Sequence, residues 1–122
     1  MSIKNILVID DSNLERQHAV KILKDAGFNV FEAESGEDGV TKAVDNAPDL
    51  IIMDVMMPGV NGFQATRHLS RTPETKDIPV FMLTSRSEEN DKAWAIKQGA
   101  TKYLTKPVDR NLLLNEIKNL GI

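Results

Sequence analysis

"LIIMDVMMPG", residues 50–59, is an apolar run that carries one carboxylate, Asp54, and closes on Pro-Gly. Apolar residues at 50–53 with no polar alternation mark a strand buried on both faces, which belongs inside a helix-covered parallel sheet. A carboxylate buried there without a partner costs several kcal/mol or takes up a proton. The turn signals relieve part of this conflict. Pro58 cannot continue a strand, and Gly59 and Gly62 permit a turn into a helix. Asp54 is therefore expected at the carboxyl edge of the strand, with "VMMPG" already the turn.

Two further runs, "ILVI" (6–9) and "VFML" (80–83), are continuously apolar, whereas "NVFEA" (29–33) and "KYLT" (102–105) are mixed, as edge strands are. Helical patterns lie between them, at 13–26, 36–47, 62–71, 88–98 and 109–120. Gly27 and Gly99 stand where helix C-terminal caps belong, and Ser35, Ser87 and Asp109 where N-caps belong. "SGED" (35–38) reads as a capping box. Strands alternating with helices imply an α/β doubly wound parallel sheet, and right-handed crossovers favour the flavodoxin-like (βα)5 strand order 2-1-3-4-5. The ligand crevice then lies outside the carboxyl ends of the first and third strands. Met53 and Met57 are expected to fill core gaps and Trp94 to pack its helix; His18 and His68 have no partner at metal-ligand spacing.

The composition narrows the function. A chain of 122 residues, 41% hydrophobic and 27% charged, suits one globular domain over 1–122, with no linker or repeat and no output domain expected. With no cysteine there is no disulfide, thiolate metal site or catalytic thiol. A net charge of -3 offers no footprint for nucleic acid. No apolar run reaches the roughly 18 residues of a membrane span, and the polar start leaves no room for a signal peptide, so a cytoplasmic location is expected.

Several strands hand over to reactive side chains at their carboxyl ends: Asp10 and Asp11, Asp54, Thr84 and Ser85, and Lys106. Parallel strands bring these groups to one crevice. Carboxylates ~5 Å apart at an effective dielectric of ~20 repel by on the order of 3 kcal/mol per pair, which a hard divalent cation relieves. All-oxygen ligands in an incomplete cage suit Mg²⁺, with the backbone carbonyl of Met56 as a further ligand. Asp54 is then a candidate nucleophile for phosphoryl transfer, Lys106 a point charge on a phosphoryl oxygen, and Thr84 a hydrogen-bond donor to another. Each motif alone is more simply a helix cap or loop. Their convergence on one sheet edge carries the argument.

"VIDDS", "IIMDVMMPGVNG", "MLTS" and "YLTKPVD" together resemble the response-regulator receiver domain of two-component signalling, and the resemblance spans the chain. It implies that Asp54 accepts a phosphoryl group from the phosphohistidine of a histidine kinase. Asp10, Asp11, Asp54 and the Met56 carbonyl would hold Mg²⁺, and Thr84 and Lys106 would contact the phosphoryl group. Tyr103 would change rotamer with Thr84, reshaping a face of the fourth helix, fifth strand and fifth helix that binds a downstream protein. A cis Lys106–Pro107 bond is implied as well. Met56 and Arg86 match positions that tune phosphoryl lifetime; an apolar Met56 is expected to hinder the attacking water, so Met56→Asn should decay faster in a phosphate-release assay. "GFQATRHLS" and "DKAWAIKQGATKYLTKPVD" are similar, more narrowly, to twitching-motility regulators of type IV pilus systems. Two rival functions stay open: a phosphate sink for a shared kinase, which would keep the same residues, and a metal-dependent small-molecule phosphatase. The phosphatase would want a second acid two residues past Asp54, where Met56 stands, and a substrate cap.

Overall fold

The computed structural model of the chain describes residues 3–55, 57, 59, 61–85 and 89–120, with backbone alone for 89–91. Strands β1 (Asn5–Ile9), β2 (Asn29–Ala33), β3 (Leu50–Asp54), β4 (Val80–Thr84) and β5 (Lys102–Thr105) alternate with helices α1 (Asn13–Asp25), α2 (Gly36–Asn46), α3 (Gly62–Arg71), α4 (Glu89–Lys97) and α5 (Arg110–Leu120). All strand pairs are parallel and the order is β2-β1-β3-β4-β5. The apolar character of the strands accounts for that order. Every residue of β3 and β4 is buried, while β2 and β5 at the edges are partly exposed.

Strand alternation divides the core in two. Ile6, Val8, Leu50, Ile52, Phe81 and Leu83 pack against Val20 and Leu23 of α1 and Leu113 and Ile117 of α5. On the other face Leu7, Ile9, Ile51, Met53 and Met82 meet Ala43 of α2, Ala65 and Leu69 of α3 and Ala95 of α4. Each buried Leu or Ile contributes roughly 1.5–3 kcal/mol, and a one-residue slip of register would turn the whole set the wrong way. Met53 and Met57 fill this second core, as expected.

Asp54 is the last residue of β3, paired in register with Leu83, so it lies within the strand's final position and not just beyond it. Asp10 and Asp54 continue the alternation of Val8 and Ile52, the side that faces α1 and α5. Thr84 continues that of Val80 and Met82, the side against which Tyr103 packs. Because Met82 is level with Tyr103 and Thr84 with Thr105, Thr84 and Tyr103 are diagonal neighbours on one face.

Helix caps follow the sequence motifs only in part. Ser35 accepts from Asp38 N at 3.0 Å, but the Asp38 carboxylate pairs with Lys42 at 3.2 Å. The two-way capping box lies instead on α3, where Asn61 accepts from Gln64 N at 2.9 Å and Gln64 accepts from Asn61 N at 3.0 Å. Asp109 caps α5 through Leu112 N at 2.9 Å. Ser87 lies outside the described residues. Gly59 has φ +75, so its turn does require glycine. Gly62 is needed for a different reason. A Cβ there would strike the Asp54 carbonyl oxygen and lie 2.7 Å from Val55 Cα, so only glycine lets α3 start against the end of β3. Trp94 is 48% exposed with Lys97 Nζ 6.0 Å from its ring; the neighbouring Ala95 provides the helix packing expected of it. The Lys106–Pro107 bond is cis.

Candidate functional site

Strand order brings the ends of β1, β3, β4 and β5 to one edge, and the chemistry gathers there. Asp10 and Asp54 are buried, 4% and 6% exposed, and Asp11 is exposed beside them. One carboxylate oxygen from each lies within 4.8 Å of the others, the one cluster of this kind among the described residues. Lys106, though remote in sequence, donates from Nζ to Asp10 Oδ2 at 2.8 Å and to Asp54 Oδ1 at 3.0 Å. Its backbone N donates to the Thr84 carbonyl at 2.6 Å, which ties the lysine to the end of β4. Thr84 itself is fully buried and Tyr103 is half-buried.

Burial is the main force on Asp54 and pushes its pKa up. The Lys106 hydrogen bond opposes it, the Asp10 charge adds to it, and the outcome is about 6. Burial alone would lower the Lys106 pKa; its hydrogen bonds to Asp10 and Asp54 outweigh this and hold it above the ordinary lysine value. The lysine stays charged, and the carboxylate is mostly ionised at neutral pH. The buried charge that looked anomalous in "LIIMDVMMPG" has its partner 52 residues further along.

The donor set suits a hard divalent cation. It consists of carboxylate oxygens only, already gathered at one rim, with more negative charge than one lysine can balance. Of the three acidic residues, Asp10 is fixed by further bonds. Asp10 Oδ1 accepts from Ser12 N at 2.9 Å, and the Asp10 carbonyl accepts from Arg16 Nη1 at 2.8 Å. Met56 and Arg86, expected as a metal ligand and as lifetime-tuning positions, lie outside the described residues.

Two residues that sequence reasoning did not single out belong to this site. Arg16 is 5% exposed and bonds Glu32, Asn13 and the Asp10 carbonyl, pinning the acidic turn to β2. Glu15 Oε2 accepts from Lys106 Nζ at 3.1 Å. "SNLE" (12–15) carried a signal for it, the spacing of a capping box. Ser12 does accept from Glu15 N at 3.3 Å, but the glutamate's carboxylate goes to the lysine.

Residues 6–118 match the response regulator receiver domain. The chain is 48% identical to Protein PilH of Pseudomonas aeruginosa over 92% of its own length and 93% of that protein's. It is 38% identical to Protein PilG of the same organism, over 93% of this chain and 84% of PilG. With the phosphate regulon transcriptional regulatory protein PhoB of Escherichia coli it shares 40% identity, and it spans only 50% of that longer protein. Among solved structures, chemotaxis protein CheY4 of Vibrio cholerae superposes with a TM-score of 0.90 at 32% identity, covering 97% of this chain and 98% of that one. A chain of the CheX-CheY-BeF3-Mg²⁺ complex from Borrelia burgdorferi gives 0.90 at 25% identity, covering 96% and 88%. With the receiver-domain match spanning residues 6–118 and relatives of this identity covering nearly the whole chain, the chain belongs to the response regulator receiver domain family.

Proposed function

We propose that this domain is a phosphorylation switch in which Asp54 takes a phosphoryl group from the phosphohistidine of a histidine kinase. The observation that carries the proposal is the buried Asp54 carboxylate, held by Lys106 at 3.0 Å beside the Asp10–Asp11 pair. An Asp54 oxygen attacks phosphorus, and the phosphorus–nitrogen bond breaks with its electron pair passing to the imidazole nitrogen. The product is an acyl phosphate. Asp10, Asp11 and Asp54, with the Met56 carbonyl, would hold Mg²⁺, which supplies neutralising charge for the transferring group. Lys106 binds a phosphoryl oxygen and Thr84 donates to another. The BeF3-Mg²⁺ complex of the Borrelia burgdorferi relative lends support to this assignment.

Movement of Thr84 toward the phosphoryl group would vacate space for Tyr103, its diagonal neighbour, and so alter the face of α4, β5 and α5. Exposed apolar residues on the two helices, Trp94, Ile96 and Leu112, are suited to a downstream protein. The likeness to PilH and PilG supports a role in type IV pilus twitching motility in the cytoplasm. Among the described residues no helix is long and apolar enough to cross a membrane.

Acetyl phosphate with Mg²⁺ should add one phosphoryl mass to the protein and none to Asp54→Asn. Labelling that survives in Asp54→Asn would defeat the assignment, and multiple turnover of a small phosphate ester would favour a phosphatase. Rapid phosphotransfer from the histidine kinase of a pilus chemosensory system, followed as loss of label from the kinase, checks the pathway.

A further inference from the structure

The ammonium of a lysine has three N–H donors. All three of Lys106's are engaged, to Asp10 Oδ2 at 2.8 Å, Asp54 Oδ1 at 3.0 Å and Glu15 Oε2 at 3.1 Å. A phosphoryl oxygen arriving at Asp54 can bond this lysine only if one present bond is released. The three are not equally easy to release. The Asp10 and Asp54 side chains are each 6% exposed, and both are still carboxylates when the phosphoryl group arrives, so releasing either bond then would leave a buried charge short of a partner. The Glu15 side chain is 47% exposed, and water can replace the lysine at its oxygen.

Glu15 is nevertheless held in place. Ser12 anchors its backbone N at the start of α1, and the adjacent Arg16 bonds the Asp10 carbonyl, so the first turn of α1 cannot drift from the site. A cavity of about 380 Å³, lined also by His18, Pro107 and Val108, opens beside the Glu15–Lys106 pair and gives it access to solvent.

We propose that Glu15 is a positioning residue that occupies the third donor of Lys106 in the resting domain and yields it to the phosphoryl oxygen, thereby limiting the affinity of the site for a phosphoryl group. This rests on the phosphoacceptor assignment of Asp54. Its direction is definite: removing Glu15 tightens binding of the phosphoryl group.

The test is calorimetric titration of beryllofluoride in Mg²⁺, combined with acetyl phosphate labelling rates, on the wild-type protein, Glu15→Gln, Glu15→Ala and Glu37→Gln. Glu37 serves as a charge control, since its Oε1 lies near Gly59 in the loop after β3, whereas Lys106 Nζ bonds Asp10, Asp54 and Glu15. Both Glu15 variants should bind the mimic about two- to five-fold tighter, the range expected for an exposed ion pair. Labelling should reach half-maximal rate at a correspondingly lower acetyl phosphate concentration, with the maximal rate unchanged. Glu37→Gln should match wild type, and in a Lys106→Met background the Glu15 effect should vanish. Unchanged or weaker binding in the Glu15 variants would overturn the proposal, as would an equal gain in Glu37→Gln or a Glu15 effect that persists without Lys106. A wild-type protein that binds the mimic at Asp54 while the Glu15 variants match it removes this inference alone; a wild-type protein that neither labels nor binds removes both.

Discussion

Asp54 is unfavourable as a buried charge, and Lys106, whose own charge is favoured by its carboxylate partners, makes it tolerable. Asp54 has its pKa raised from 3.8 to about 6, so its ionisation opposes folding. Its favourable contribution is complete below 3.8 and is lost as pH rises through about 6. Without divalent cations, Asp54→Asn should therefore gain stability over wild type on the order of 1–2 kcal/mol more at pH 7.5 than at pH 4, after allowance for solvent screening. Urea midpoints in EDTA at the two pH values check this. Lys106, whose pKa is raised, contributes stability that is fully present below its ordinary value of 10.5 and so is constant across that window. Lys106→Met leaves two buried carboxylates facing each other and should cost roughly 2–4 kcal/mol at pH 7.5, less at pH 4 as Asp54 takes up its proton. The same denaturation series reads it. Asp10, Asp54, Thr84 and Lys106 were all visible in the sequence as polar residues at strand ends. Arg16 and Glu15 were not, because a charged residue in the first turns of a helix has many ordinary reasons to be there.

Helix ends show a second kind of partial legibility. The bounds of α1, α2, α3 and α5 agree with the sequence pattern to within a residue, because glycine and small polar residues punctuate them. The fine chemistry of the caps did not follow the motif. Asp38 could choose between its own helix start and Lys42 one turn on, and it pairs with the lysine. Asn61–Gln64 forms the reciprocal box, so Asn61→Ala should destabilise by about 1 kcal/mol, read as a lower urea midpoint with unchanged slope. Gly62 shows how one residue type serves two ends. Its neighbour Gly59 answers to backbone conformation, but Gly62 answers to the closeness of Asp54 and Val55. Gly62→Ala should cost about 1–3 kcal/mol and slow acetyl phosphate labelling, since relief of the clash moves the strand end that carries Asp54, the proposed phosphoacceptor.

The two cores divide the labour of the domain. The face shared by α1 and α5 carries Asp10 and Asp54, and the face shared by α2, α3 and α4 carries Thr84 and Tyr103. In the proposed function a phosphoryl group at the sheet edge would touch both, and a local charge would then be read on a distant surface. Hydrogen exchange with and without beryllofluoride and Mg²⁺ should therefore change in α4, β5 and α5 and stay constant in α2; a change confined to the Asp54 loop would count against transmission. Alternation and punctuation along the chain were enough to determine the strands, their order and the convergence of Asp10, Asp54, Thr84 and Lys106, because a parallel (βα)5 sheet has few ways to bury three fully apolar strands. Only the tertiary structure decided which charges pair. Lys106 meets Asp10, Asp54 and Glu15 across separations of 96, 52 and 91 residues, and local sequence carries no record of contacts made by long side chains across a sheet edge. Electrostatic pairing depends on distances of a few ångströms and on the exclusion of water, and both exist only once the chain has folded.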